Sequence, residues 1–209
     1  MKIAILGASG QTGKQLIEKA LAAGHSVIGL ARSPEKILFD DPRVIKRAAD
    51  GFDEASVVAG LEGAEAVITT VGKTNLRDKR FNLSTAAHSG VIAGMKKHNI
   101  RRLLAISSTG AAGIKRDGIR RNIYLFLRRK YYRDMYEMEL QVLGSGLDVT
   151  VLRAPFLTND PAQGQYNVIR DETYPNGSRV SREDLAQFAL DAIEQGSYIN
   201  EVVAIADPL

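Results

Sequence analysis

Apolar runs of strand length alternate with helical patterns from one end of the 209-residue chain to the other. "KIAIL" (Lys2–Leu6), "SVIGLA" (Ser26–Ala31), "RVIKRA" (Arg43–Ala48) and "AEAVITTV" (Ala64–Val71) read as the first four strands. "RRLLAISS" (Arg101–Ser108), "LDVTVLR" (Leu147–Arg153) and "EVVAIA" (Glu201–Ala206) read as three more. Polar and apolar positions recur at helical spacing over Gln11–Ala23, Glu54–Ala59, Asn82–His98, Tyr131–Leu143 and Arg182–Glu194. Gly24 stands where the first of these helices should stop, and Gly144 and Gly146 where the fourth should.

Short apolar strands separated by helices must pair in parallel, because each crossover returns the chain to the same end of the sheet. With right-handed crossovers the result is an α/β doubly wound Rossmann fold, a mainly parallel sheet of about seven strands flanked by helices. The length suits a single domain over residues 1–209. Between Pro155 and Val180 the alternation breaks, with three prolines and a possible short strand pair that includes "QYNVIR". This excursion follows the sixth strand, so residues 155–181 are expected to cover a ligand site, together with residues 110–135 after the fifth. A loop that merely closes the fold is the alternative.

The stretch "ILGASGQTGK" supplies the first candidate chemistry. Gly7, Gly10 and Gly13 follow the first strand and open the first helix, where a doubly wound fold holds a pyrophosphate. Glycine is required where the backbone turns tightly, approaches a phosphate, or lets helix and strand touch. Ser9, Gln11 and Thr12 add hydrogen-bond donors beside the positive end of the helix. Arg32 ends the second strand, with Ser33 beside it and Lys36 close behind. An acid there would bond a ribose 2′-hydroxyl, whereas cations suit a 2′-phosphate, so the expected cofactor is NADP(H). Asp50 and Gly51, after the third strand, are placed for the adenine end. Val71 and Gly72, after the fourth, are placed to pass close to the cofactor.

Composition narrows the remaining classes. The chain has no cysteine, so disulfides, thiolate metal sites and cysteine nucleophiles are excluded, and no metal site is expected. No apolar run approaches the roughly 20 residues of a membrane span. Met1 and Lys2 lead straight into the first strand without a secretory signal, which makes cytoplasm the default. The net charge of +4 is concentrated. Lys115, Arg116, Arg120, Arg121, Arg128, Arg129, Lys130 and Arg133 crowd into residues 114–133 against the one acid Asp117. This basic segment is either a solvated helical face or a steering surface for an anionic acceptor. "YLFLRRKYY" interleaves aromatic residues with cations, but no nucleic-acid motif accompanies it, and nucleic acid is not an expected partner.

Short-chain dehydrogenases usually move a proton with the tyrosine of a Y-x-x-x-K pair. Here Tyr131, Tyr132 and Tyr136 are followed at that offset by Met135, Tyr136 and Leu140, and Tyr124 by Arg128. Alcohol or carbonyl chemistry that needs a tuned donor is thereby disfavoured, and these aromatic residues read as helix packing. His25, His88 and His98 fall on or beside helices, away from strand ends, and read as structural or solvent-facing.

The G-x-x-G-x-x-G spacing resembles that of extended and atypical short-chain dehydrogenase/reductases. "KIAILGASGQTGKQL", Arg32, "VIAGMKKHNIRRLLAISS", "GSGLDVTVLRAP" and "GQYNV…SRVSREDLAQFAL" together resemble the biliverdin reductase B/NADPH-dependent flavin reductase family, related to the NmrA-like proteins. The resemblance implies hydride transfer from NADPH to a flavin or another planar conjugated acceptor at an open site, with flavin as substrate rather than prosthetic group. It implies a monomer. It also implies a catalytic position for Ser108 near the nicotinamide, with Ser107 its neighbour, although a serine there can equally satisfy backbone groups at the strand end. Arg153, Pro155 and Phe156 match the stretch that lines the nicotinamide. Phe156 replaces a histidine of that family, and a phenylalanine can stack on a ring but cannot move a proton. Two alternatives remain: a reductase of a linear tetrapyrrole, quinone or small carbonyl compound, and a non-catalytic NADP(H) sensor of NmrA-like type.

Overall fold

In the first strand, β1 (Lys2–Leu6), Ile3 and Ile5 point to one face of a sheet and Ala4 and Leu6 to the other, and all four are buried. A strand apolar on both faces needs cover on both, and among the described residues five helices provide it. The computed structural model describes residues 1–72, 82–111, 128–170 and 178–208. Helix α1 (Gln11–Ala22) and helix α5 (Arg182–Glu194) pack on the face of Ile3 and Ile5, using Leu16, Ile17, Leu185 and Ile193. Helices α2 (Glu54–Gly60), α3 (Leu83–Lys97) and α4 (Arg129–Leu143) cover the other with Val57, Val91, Met95, Met138 and Val142. Burying each such side chain contributes about 1.5–3 kcal/mol, so the layers hold together through apolar area.

The remaining strands are β2 (Ser26–Ala31), β3 (Val44–Ala48), β4 (Ala66–Thr69), β5 (Arg102–Ser108) and β6 (Asp148–Ala154). After them come β7 (Phe156–Thr158), β8 (Asn167–Ile169), β9 (Arg179–Ser181) and β10 (Glu201–Ala206). Among the described residues, eight of these ten strands form one sheet in the order β3-β2-β1-β4-β5-β6-β10-β8, and every pair in it is parallel except β10 with β8. Strand order reverses between β1 and β4, which opens a crevice at their C-terminal ends. The α/β doubly wound Rossmann architecture follows, one strand larger than expected.

The excess lies in the excursion after β6. "QYNVIR" does not pair with a neighbour in its own loop; Asn167–Ile169 adds to the sheet edge, antiparallel to β10. Phe156–Thr158 instead pairs in parallel with Arg179–Ser181 as a separate two-stranded ribbon. The acids of the first turn of α5 fasten the loop between them. Asp184 accepts from the N–H groups of Gln163 and Gly164 at 2.9 and 3.0 Å, and Glu183 from Ala162 at 3.1 Å. Ser181 caps the same helix, its Oγ accepting from the N–H of Asp184. β4 is shorter than expected, because the chain leaves the ladder at Thr70 to enter the crevice.

Lys115, Arg116, Asp117, Arg120, Arg121 and Tyr124 lie outside the described residues, as do parts of the expected covering segments 110–135 and 155–181. Of the basic segment the structure places Arg128, Arg129, Lys130 and Arg133, at the start of α4. Among the described residues no helix is long and apolar enough to cross a membrane.

Candidate functional site

The turn from β1 into α1 is pinned by backbone hydrogen bonds. The N–H groups of Gly7 and Ala8 both donate to the carbonyl of Leu30 in β2, and that of Gly10 to the carbonyl of Gly7. Gly7 has a φ of +95°, which side-chain-bearing residues rarely adopt, and a Cβ there would stand 2.4 Å from Thr70 Oγ1. A Cβ on Gly13 would lie 2.4 Å from the Gly7 carbonyl oxygen and 2.8 Å from Ala8 Cα. The first and third glycines are thus required by backbone geometry and close packing. Gly10 is the N-cap of α1 and offers no capping side chain, and the first turn carries no acid. The first N–H groups and the positive helix end are therefore available to an anion.

Gly7, Ser9 and Gly10 form one wall of a cleft of about 170 Å³. Arg32, Gly51, Val71 and Gly72 also line it, so seven of the residues singled out from the sequence converge there. Thr70 and Leu83 also line it, with Leu6, Leu30, Ala31 and Ala49 of the flanking strands and loop, and none of these was singled out. The Thr70 hydroxyl donates to the Gly7 carbonyl at 3.2 Å, tying the end of β4 to the glycine turn. Arg32 is exposed at the end of β2, and among the described residues no group is paired with its guanidinium. Ser33 stands at the N-cap position of the short 3₁₀ turn Pro34–Lys36 beyond it, without a capping side-chain bond, and Lys36 is exposed.

Other candidates fall elsewhere. Gln11 lines a neighbouring groove of about 440 Å³ with Lys14 and Arg182, while Thr12 and Gly13 lie within the first turn of α1. One Asp50 carboxylate oxygen accepts from the N–H of Phe52, which turns the side chain into its own loop.

The remaining candidates stand at the ends of β5 and β6, outside the lining of that cleft. Ser108 is half-buried, and its Oγ accepts from the N–H of Gly110 at 3.2 Å. Ala154 stands opposite it in the ladder, followed by half-buried Pro155 and by Phe156, which is 74% exposed. At the start of α4, the Tyr132 ring lies against Gly110, leaving no room for a Cβ there. The Tyr131 hydroxyl reaches the mouth of the cleft, 3.6 Å from where a Cβ on Gly72 would stand.

Residues 7–196 match the family described as NAD(P)H-binding. The chain belongs to that family. An uncharacterised chloroplastic protein of Arabidopsis thaliana is 29% identical over 99% of this chain and 78% of its own length. A short-chain dehydrogenase/reductase of Veillonella parvula, solved in complex with NADP, superposes with a TM-score of 0.81 at 22% identity, covering 99% of this chain and 94% of that one. The anaerobillin reductase ChuY of Escherichia coli O157:H7 superposes with a TM-score of 0.80 at 21% identity, covering 100% and 98%.

For an NAD(P)H-binding chain, two expected cofactor residues have an unexpected place. The side chains of Ser107 and Arg153, 2% and 3% exposed, run beneath the strand ends instead of out of them. Both bond Glu139 of α4, itself 1% exposed. Asp134, five residues earlier, reaches across to α3 and accepts from the N–H groups of Ser84 and Thr85 at 2.8 and 3.0 Å. It thereby caps the helix whose first residue, Leu83, lines the cleft. Neither acid was legible beforehand, because helical spacing shows which face a residue occupies but not what it meets.

The three histidines of this NAD(P)H-binding chain are structural. His25 bonds Glu194, His98 bonds the carbonyl of Val58, and His88 is buried between Thr69 Oγ1 at 2.7 Å and the Ser84 carbonyl at 2.8 Å. Burial pushes the His88 imidazole down to about 4 from its ordinary 6.5. Below 6.5 the unfolded chain binds a proton that the folded chain refuses, so stability falls as pH drops from 6.5 towards 4. The loss approaches roughly 3 kcal/mol. Chemical denaturation across that range should show the decline, and His88→Gln should flatten it.

Proposed function

We propose that the chain is an NADPH-dependent reductase that passes hydride to a flavin or a similar planar conjugated acceptor. The observation that carries this reading is an exposed Phe156 two residues beyond the Ala154 that pairs with Ser108 at the end of β5, which we take as the acceptor shelf. When bound, NADPH supplies a hydride from its nicotinamide ring. The glycine turn and the uncapped start of α1 suit its pyrophosphate. Arg32, at the end of β2 where an acid would favour NADH, suits its 2′-phosphate, with Ser33 and Lys36 close by. The likeness to a reductase solved with NADP supports the same choice.

The shelf has no Y-x-x-x-K pair, and Met135 stands four residues after Tyr131. Conjugated acceptors tolerate that lack. Hydride adds to the ring system, the negative charge spreads over it, and water supplies the proton afterwards, so alignment of two flat rings provides most of the rate. Phe156 stacks on the acceptor, and the Ser108 hydroxyl orients a carboxamide or a water beside the reacting ring. Pro155 shapes the turn between them. These features support membership of the biliverdin reductase B/flavin reductase-like group. The structural likeness to an anaerobillin reductase makes a linear tetrapyrrole the second reading for the acceptor, its carboxylates drawn to the cations that begin α4.

The test is loss of NADPH absorbance with FMN, FAD, biliverdin or a quinone in turn. Turnover with a flavin is expected. Phe156→Ala should raise the acceptor KM roughly three- to tenfold, and Ser108→Ala should lower kcat without changing NADPH affinity. Tight NADPH binding with no turnover on any acceptor would overturn the reductase reading in favour of a sensor.

A further inference from the structure

The buried cluster of Glu139, Arg153 and Ser107 is not used by the reading above. It joins three elements, β5, β6 and α4, near the C-terminal ends of the two strands. Ser107 and Arg153 face each other across the β5–β6 ladder, on the rung before Ser108 and Ala154. Glu139 of α4 closes over that rung. Its Oε1 accepts from the Ser107 hydroxyl at 2.5 Å, and its carboxylate accepts from Arg153 Nε at 3.1 and 3.2 Å and from Nη2 at 2.7 Å.

An ion pair this deeply buried is a poor source of stability. Removing two charges from water costs several kcal/mol per ion, and apolar replacements of similar volume are often neutral or stabilising. Its geometry is nevertheless specific. One carboxylate fixes two strand ends and one helix relative to each other, and each of the three also carries a residue at or near the proposed site. Ser108 follows Ser107, Pro155 and Phe156 follow Arg153 and Ala154, and Tyr131 lies two turns before Glu139 on α4.

We infer that Glu139, through Ser107 and Arg153, is a positioning residue that sets the relative placement of Ser108, Pro155–Phe156 and α4 around the nicotinamide. The inference rests on the nucleotide-dependent reading above. It assigns no chemistry to Glu139, which touches neither the cleft nor solvent. Its effect is on how closely the bound ring is held, not on how tightly the nucleotide as a whole is gripped at the far end of the crevice.

The test replaces the pair as a unit, Glu139→Leu with Arg153→Met, so that neither member of this ion pair is left buried without the other. The melting temperature is expected to hold or rise, and NADPH affinity to stay within about threefold. The rate with the acceptor is expected to fall about ten- to a hundredfold, the cost of an ångström-scale misplacement. The emission of bound NADPH should shift towards that of free NADPH as its ring loses restraint. Ser107→Ala, which leaves the ion pair intact, should show the same pattern in smaller measure and covers the case in which the double variant fails to fold. Unchanged emission and rate in a folded variant would overturn the proposal, as would a loss of affinity and melting temperature in step with rate. If the wild-type protein turns over no acceptor, the reductase reading fails, while the emission of bound NADPH still decides the role of Glu139.

Discussion

In the Arg32→Glu variant, NADPH binding is expected to fall about a hundredfold while NADH binding holds or improves, reversing the coenzyme preference. Two effects act together. The variant loses charge-assisted hydrogen bonds to the 2′-phosphate, each contributing about 1.5–3 kcal/mol, and it places a like charge against that phosphate. The carboxylate gains the role that acids at this strand end serve in NAD-dependent proteins, accepting from the ribose hydroxyls. The substitution is clean, because Arg32 is exposed and among the described residues holds nothing else in place. Calorimetric titration with both nucleotides gives the ratio directly. An unchanged ratio would remove Arg32 from the phosphate site and return the choice between the two coenzymes to an open question.

Gly13→Ala is expected to weaken binding of either nucleotide by at least about a hundredfold. At an ordinary helix position alanine is about 1 kcal/mol better than glycine, and a gain in stability would follow. Here the added methyl would stand 2.4 Å from a carbonyl oxygen and 2.8 Å from a Cα, both backbone atoms of the glycine turn. Backbone cannot rotate aside, so α1 must withdraw from the turn and carry its first N–H groups with it. Overpacking of this kind costs about 1–3 kcal/mol, enough to lower the melting temperature as well. Gly10→Ala serves as the comparison. Its methyl would lie 3.2 Å from a single carbonyl oxygen at an extended N-cap. Its effect should be milder on both readouts. Equal behaviour of the two variants would show that close contact between helix and turn is not what the third glycine provides.

The sequence legibly carried the order of strands and helices, because burial on both faces of a parallel sheet forces near-continuous apolar runs, and helices cannot hide their 3.6-residue period. Helix α5 was predicted at its observed bounds, Arg182–Glu194. The glycine turn was legible for a related reason. Its constraint is local, since a positive φ and a missing Cβ leave the same mark in any chain that makes this turn. Arg32, Gly51, Val71 and Gly72 were found by counting to strand ends, and they line the cleft with Gly7, Ser9 and Gly10.

Tertiary structure alone decided what depends on partners distant in the chain. Asp134 meets Thr85 across 49 residues, Thr70 meets Gly7 across 63, and Ser107 and Arg153 turn inwards because Glu139 of α4 lies over their rung. The run "QYNVIR" marked a possible strand, but that Asn167–Ile169 pairs with the free edge of β10 rather than within its own loop was decided by the tertiary structure. Periodicity reports whether a side chain faces inwards. It does not report which polar group waits there, and for buried hydrogen bonds and ion pairs that partner is the whole of the energetics.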